Sequence, residues 1–200
     1  MSQSLITKKA LSASIKELMG TIPLAKISIR KIVDNCGINR QTFYYHFKDK
    51  FDLVNWIYKT EAIETISDCK NYDKWIDSTY KTLVYFQNNK LFYINALNES
   101  GQNAFYEYFF QATYELIVGV VNHISCDINV SDKDINFIGN FYTHAIVGVT
   151  VQWIKEDMNE CPRIIVDKLN GIVEGSVLVA LKRYQSREAV ARVQVPSDKL

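Results

Sequence analysis

Seven side chains between positions 30 and 46 carry donors and acceptors of the kinds that pair with base edges and phosphates: Arg30, Asn39, Arg40, Gln41, Thr42, Tyr45 and His46. Their chemistry is recognition by hydrogen bonding rather than bond making. Apolar residues are interleaved with them. Ile32, Val33, Ile38, Phe43 and Phe47 are spaced to form a small core, which leaves the seven polar residues outside. Ser28 stands where an N-cap belongs, before Ile29, Ile32 and Val33. That short helix stops at Gly37, which can take a left-handed conformation without a Cβ clash. Cys36 is small enough to pack against a partner helix, and Ile38 fills the gap beyond the turn. A second short helix runs from about Asn39 to Phe47. Two short helices joined by a tight turn are the ingredients of a helix-turn-helix, and base edges are read at the start of its second helix.

The charge is distributed to match. Residues 1–50 hold nine Lys and Arg against three Asp and Glu, a net +6, whereas residues 51–200 sum to −5 and the whole chain to +1. A basic end on a mildly acidic body points to a polyanionic partner, with plain clustering on a solvated face as the other reading. For Lys31 and Lys48 both readings stand.

The elements that must hold these residues are helical. The 200 residues, 48% hydrophobic and 22% charged, suit a folded chain of one or two domains. Only 8 Gly and 3 Pro disfavour sandwiches, barrels and glycine-loop enzymes. The expected fold is all-α: an N-terminal three-helix helix-turn-helix domain (1–50), a C-terminal helical bundle for regulation and dimerisation (51–185), and a disordered tail (186–200). Helices are expected over Ser4–Met19, from Lys50 with Asp49 as cap, and over Lys74–Asn88 beyond the polar patch Ser67–Asn71. Further ones follow over Gln102–His123, Asp132–Met158 behind the cap Ser131, and Pro162 to about Tyr184. The uncharged stretch Ile135–Ile154 contains Asn136, Asn140, Thr143, His144 and Gln152, which would be costly in lipid, so it is read as a helix within protein, not membrane.

Several function classes drop out. Cys36, Cys69, Cys126 and Cys161 lie far apart with no C-x-x-C, which speaks against a zinc cluster or disulfide framework and for a reducing, cytoplasmic setting. No apolar secretory segment opens the chain. There is no H-E-x-x-H, P-loop, G-x-G-x-x-G or Ser-His-Asp order, so an enzyme is not expected. His123 and His144 read as core or interface residues on apolar faces, and neither a metal nor a cofactor is expected.

The run from Ser28 to Leu53, with Thr42-Phe43-Tyr44-Tyr45-His46-Phe47 followed by Asp49-Lys50 and Leu53, closely resembles the TetR family of bacterial transcription regulators. The resemblance implies roles. Ser28 would contact phosphate at a helix N-terminus, and Arg30 would face the groove. Asn39, Arg40 and Gln41 would read bases, and Thr42 would make a mixed contact. Tyr44, Tyr45 and His46 would meet backbone and groove wall, with packing inside the domain as the alternative for Tyr44. Lys50 would contact phosphate at the start of the fourth helix.

The resemblance also implies a homodimer on a near-palindromic operator in double-stranded DNA, joined through the last two long helices. Tyr142, Ala145, Val149 and Trp153 would contribute from one of them, and Ile172, Ser176 and Val179 from the other. The stretch Phe92–Phe110 is similar to the C-terminal domain of regulators found with dihydroxyacetone kinase operons. That branch implies transcriptional activation, signalled through a protein coactivator related to the kinase's dihydroxyacetone-binding subunit. Asn98, Ser100, Gly101 and Gln102 would then bend between two helices as part of a docking surface, or simply form a capped turn. The aromatic run holding Phe105, Tyr108 and Phe109 suits a core stripe or, alternatively, the pocket of a repressor gated by a small hydrophobic or aromatic effector.

Overall fold

The computed structural model describes residues 3–63, 75–98 and 104–193, and its regular structure is helical throughout. The order is α1 (Gln3–Met19), a 3-10 turn (Leu24–Lys26), α2 (Ile29–Cys36), α3 (Arg40–His46), α4 (Lys50–Ile57) and a π-helical turn (Tyr58–Ile63). Then come α5 (Trp75–Asn88), α6 (Lys90–Leu97), α7 (Ala104–Ile124), α8 (Asp132–Lys155), α9 (Pro162–Val173) and α10 (Ser176–Val193).

Local chemistry sets several of the helix starts. Ser28 accepts from the Lys31 N–H, Asn39 from Thr42, Asp49 from Phe51 and Asp52, and Ser131 from Asp134. Each cap satisfies backbone donors that the first helical turn leaves without partners. Pro162 opens α9, where its missing N–H costs nothing. Gly37 ends α2 at φ +68°, and the Ile38 N–H returns to the Val33 carbonyl at 3.0 Å.

Three expected boundaries move. The helix foreseen from Pro162 to Tyr184 divides at Gly175, which sits at φ +70°. The helix foreseen to Met158 ends at Lys155, because Asp157 and Met158 turn left-handed and the Met158 N–H closes onto the Trp153 carbonyl at 2.9 Å. Finally, α10 continues to Val193, into the segment expected to be disordered. Residues 194–200 lie outside the described residues, as do the polar patch Ser67–Asn71 and the bend residues Ser100, Gly101 and Gln102.

One core runs through the head and into the body. Leu11, Ile15, Leu24, Ile27, Ile32, Phe43, Leu53 and Ile57 are all 2% exposed or less. The Ser14 hydroxyl donates to the Ile32 carbonyl at 2.7 Å and ties α1 to α2. Beyond the π-helical turn the core becomes aromatic. The Tyr58 ring lies 5.5 Å from Phe105, 5.6 Å from Phe109 and 5.9 Å from Phe86. Burial pushes the phenols of Tyr58, Tyr85 and Tyr93 upward from their ordinary range. A second cluster, including Ile117, Val121, Ile138, Ile146, Val177 and Leu181, joins α7, α8 and α10. Gly139 lets α7 and α8 approach closely, since a Cβ there would stand 2.6 Å from Val118. No helix among the described residues is long and apolar enough to cross a membrane.

Candidate nucleic-acid interface

The surface of the head is built outward from Phe43 and Phe47, which anchor α3 with 0% and 3% of their area exposed. With that side buried, the opposite side must face solvent. It presents Arg40, Gln41, Tyr44 and Tyr45. Tyr45 is 83% exposed, and its ring meets His46 edge-on at 4.9 Å. Arg40 is held ready: its guanidinium lies 5.4 Å over the Tyr44 ring and donates to the Tyr44 hydroxyl at 3.1 Å. Tyr44 thus serves two roles, packing edge-on against Phe43 and supporting Arg40. An arginine pre-set in this way loses less side-chain entropy when it meets guanine bidentately.

Around α3 the other expected contacts fall into two groups. Ser28 is exposed at the start of α2, and its hydroxyl accepts from the Lys31 N–H at 3.3 Å, which leaves its own proton for a phosphate. Arg30 projects into solvent with a long 3.5 Å contact to Asp34, a pair of little energetic weight. Asn39 and Thr42 differ. The Asn39 Oδ1 accepts the Thr42 N–H at 2.7 Å and the Thr42 hydroxyl at 2.9 Å. An asparagine reads adenine with its donor and acceptor together. Here the acceptor is used by the helix cap and only Nδ2 remains. Arg40 and Gln41 therefore stand clear of the cap, while Asn39 and Thr42 hold the start of the helix that carries them.

Lys50 is also placed differently from expectation. Its ammonium points into the head and donates to the carbonyls of Leu24 at 2.6 Å, Ile27 at 3.2 Å and Ala25 at 3.3 Å. The first amides of α4 are taken by Asp49. Lys50 is thus a fastening between α4 and the 3-10 turn rather than a free cation at a helix end. Spacing alone cannot separate these roles, because both put a lysine just after a cap.

In the body, burial reassigns several residues. Phe105 and Phe109 are 3% and 4% exposed and pack on Tyr58, which makes them core rather than a contact surface. Tyr108 is half-buried beside the same ring at 6.1 Å. Asn98 is exposed at the end of α6, and Gln102 lies outside the described residues. His123 and His144 are exposed, not core, and the His144 ring lies 4.6 Å from Phe110. No group of three metal-ligating side chains occurs among the described residues.

Of the residues foreseen at a dimer contact, Ala145, Val149, Ile172 and Val179 are exposed. Tyr142 and Trp153 instead face inward, 8% and 4% exposed. Tyr142 donates to the Ser176 hydroxyl at 2.8 Å, and the Trp153 indole donates to the Glu160 carbonyl at 2.8 Å. On α8 the sequence pattern thus places Ala145 and Val149 on the outer face correctly and misplaces Tyr142 and Trp153. The uncovered strip there runs through Phe137 and Phe141, each 62% exposed, to Ala145 and Val149. Its i, i+4 spacing was available in the sequence, but α8 is apolar on two faces and periodicity does not say which one the chain itself covers.

Comparison with known proteins agrees with this geometry. Residues 12–57 match the family described as bacterial regulatory proteins, tetR family, and residues 73–175 match a transcriptional regulator C-terminal region of the TetR type. The HTH-type dhaKLM operon transcriptional activator DhaS of Lactococcus lactis is 27% identical over 191 residues, covering 93% of this chain and 96% of that protein. Among solved structures, the dihydroxyacetone kinase operon activator DhaS aligns with a TM-score of 0.66 at 24% identity over 90% of this chain and 98% of its own. NalD, the secondary repressor of the MexAB-OprM multidrug efflux pump in Pseudomonas aeruginosa, aligns with a TM-score of 0.57 at 16% identity over 88% and 98%. The body match spans half of the chain and the head match falls on the helix-turn-helix: the chain belongs to the tetR family of bacterial transcription regulators.

Proposed function

We propose that two copies of this chain bind a near-palindromic operator and activate a dihydroxyacetone kinase operon, with the signal delivered by a partner protein. The outward face of α3, with Arg40 braced on Tyr44 beside Gln41 and Tyr45, is the observation that carries the DNA-reading part. A single such face covers few base pairs, so a paired reader is needed for a specific site. The strip Phe137–Phe141–Ala145–Val149 on α8, with Ile172 and Val179 from α9 and α10, supports the pairing. Exposed apolar area of this kind is normally covered by another surface. Two heads then meet DNA about one turn, roughly 34 Å, apart.

The choice of signal rests on space and on likeness. The apolar cavity bounded by Tyr58, Phe86, Phe109, Thr113 and Ile146 holds about 90 Å³. Drug-sized ligands occupy pockets of roughly 300–1,000 Å³. That contrast speaks against a small effector within this aromatic cavity, and the similarity to DhaS favours the operon and a partner-borne signal. In a shift assay with DNA upstream of dihydroxyacetone kinase genes from the same genome, the protein should form a salt-sensitive complex that outlasts random competitor. Reporter expression should rise when the partner protein is supplied. Binding without sequence preference would overturn the regulator reading. Release from DNA by a small aromatic effector alone would transfer the case to a ligand-gated repressor.

A further inference from the structure

Asn95 of α6 lies in the body, yet all three of its side-chain hydrogen bonds go to the backbone of the head. Its Oδ1 accepts the Leu24 N–H at 2.7 Å, and its Nδ2 donates to the carbonyls of Met19 at 2.9 Å and Ile22 at 2.7 Å. These partners are 71 to 76 residues away in sequence. Met19 ends α1 and Leu24 opens the 3-10 turn, so both backbone groups belong to helix ends that lack intrahelical partners. A carboxamide can accept from one and donate to the others at once; neither a carboxylate, a hydroxyl nor an ammonium can satisfy all three in this arrangement.

The segment it grips is a junction. The same Leu24 that donates to Asn95 offers its carbonyl to Lys50 at the start of α4, with Ala25 and Ile27. Ile27 leads directly to Ser28, the cap of α2. One side chain from the body therefore holds the end of α1 to the 3-10 turn, the segment that leads into α2 and that Lys50 fastens to α4. The reading helix α3 rides on that unit through Phe43 and Phe47. Lys16, bonded to Glu61 and to Asn89 at 3.1 Å, adds a second tie, but along α1 rather than at the junction.

We infer that Asn95 is a positioning residue for operator binding, setting the angle at which each head leaves the body and hence the half-site separation that the paired heads accept. The inference rests on the paired-reader function proposed above and deepens it. A loosened grip leaves α3 able to read one half-site. It removes the fixed relation between two of them, which is where a dimer gains over a monomer.

The test uses the full chain and duplexes whose two half-sites are moved apart one base pair at a time, read by fluorescence anisotropy. The wild-type protein should show a sharp optimum of spacing. Asn95→Leu, similar in size and without hydrogen bonds, should bind the optimal duplex at least tenfold more weakly and flatten the spacing profile. A duplex with one half-site should be bound within twofold of wild type. Asn95→Asp keeps the acceptor for Leu24 but loses both donations, so it should shift the profile in the same direction and decides the matter where the Leu variant does not fold. Wild-type spacing profiles in both variants, equal losses on single and paired half-sites, or failure of both to fold would each overturn the inference and leave the regulator reading intact. Absence of any spacing optimum in the wild-type protein would overturn the paired-reader function and this inference with it.

Discussion

The head and the body solve opposite problems with the same helices. The head is small, shares its core with the body, and is polar where it faces outward. Its helices α2, α3 and α4 start on side-chain caps, and its large apolar residues are buried inside. The body is long-helixed and aromatic inside, and it leaves Phe137, Phe141, Val149 and Ile172 uncovered outside. A polar outer face on one region and an uncovered apolar face on the other teach how the molecule divides its work. In the function proposed above, the head supplies the reading face and the body the surface that pairs two such faces.

The contrast is broken most severely from the head's interior. Phe43→Ala should cost about 3–5 kcal/mol, since it empties a fully buried site in the core of the head. Thermal denaturation should show a clear loss, and DNA binding should vanish with it. From the outside of the body, Phe141→Glu should leave the fold and its melting intact while sedimentation shifts from dimer to monomer. Operator affinity should then fall by roughly 100-fold, the factor typical of losing a linked second site. A Phe141 variant that stays dimeric would place the pairing surface elsewhere.

Smaller changes sharpen the comparison. Arg40→Ala should cost about 1–3 kcal/mol of discrimination at one base pair in each half-site, with random-sequence binding nearly unchanged. Lys50→Met should act through stability, about 1–2 kcal/mol, because three carbonyls lose a charged donor. The dependence of DNA binding on salt should keep its slope, whereas a true phosphate contact would reduce it by about one ion.

Alkali gives the smallest effect and reports on the body alone. The phenols of Tyr58 and Tyr93 are raised above the ordinary value of 10.0 by burial, and the folded state therefore holds its protons where the unfolded chain releases them. Their contribution is fully present below pH 10 and falls as pH rises beyond it. Half a unit above 10 the loss is under about 1 kcal/mol for each ring. Absorbance at 295 nm should show these tyrosines ionising only as the protein unfolds.

Legibility in the sequence follows the same division. The head was readable because its determinants are local: Ser28, Gly37 and Asp49 each fix a boundary through a neighbour at most four residues away. What sequence could not tell is which of two jobs a polar residue takes. Asn39 could cap or read, and Lys50 could reach phosphate or carbonyl; the surrounding backbone decides. In the body, the long apolar helices are evident in the sequence but their rotation is not: Tyr142 faces inward and its neighbour Phe141 outward. The break at Gly175 was hidden because glycine can also sit inside a helix, at a cost of about 1 kcal/mol. Asn95 gave no local signal at all, since its partners lie more than seventy residues upstream.

The most direct test of the central claim is selection of bound duplexes from a random library, carried out in parallel with the wild-type protein and Arg40→Ala. The account predicts a near-palindromic motif for the wild type, with half-sites about one helical turn apart, and a loss of preference confined to one position per half-site in the variant. No enriched motif, or an identical motif from both proteins, would contradict it.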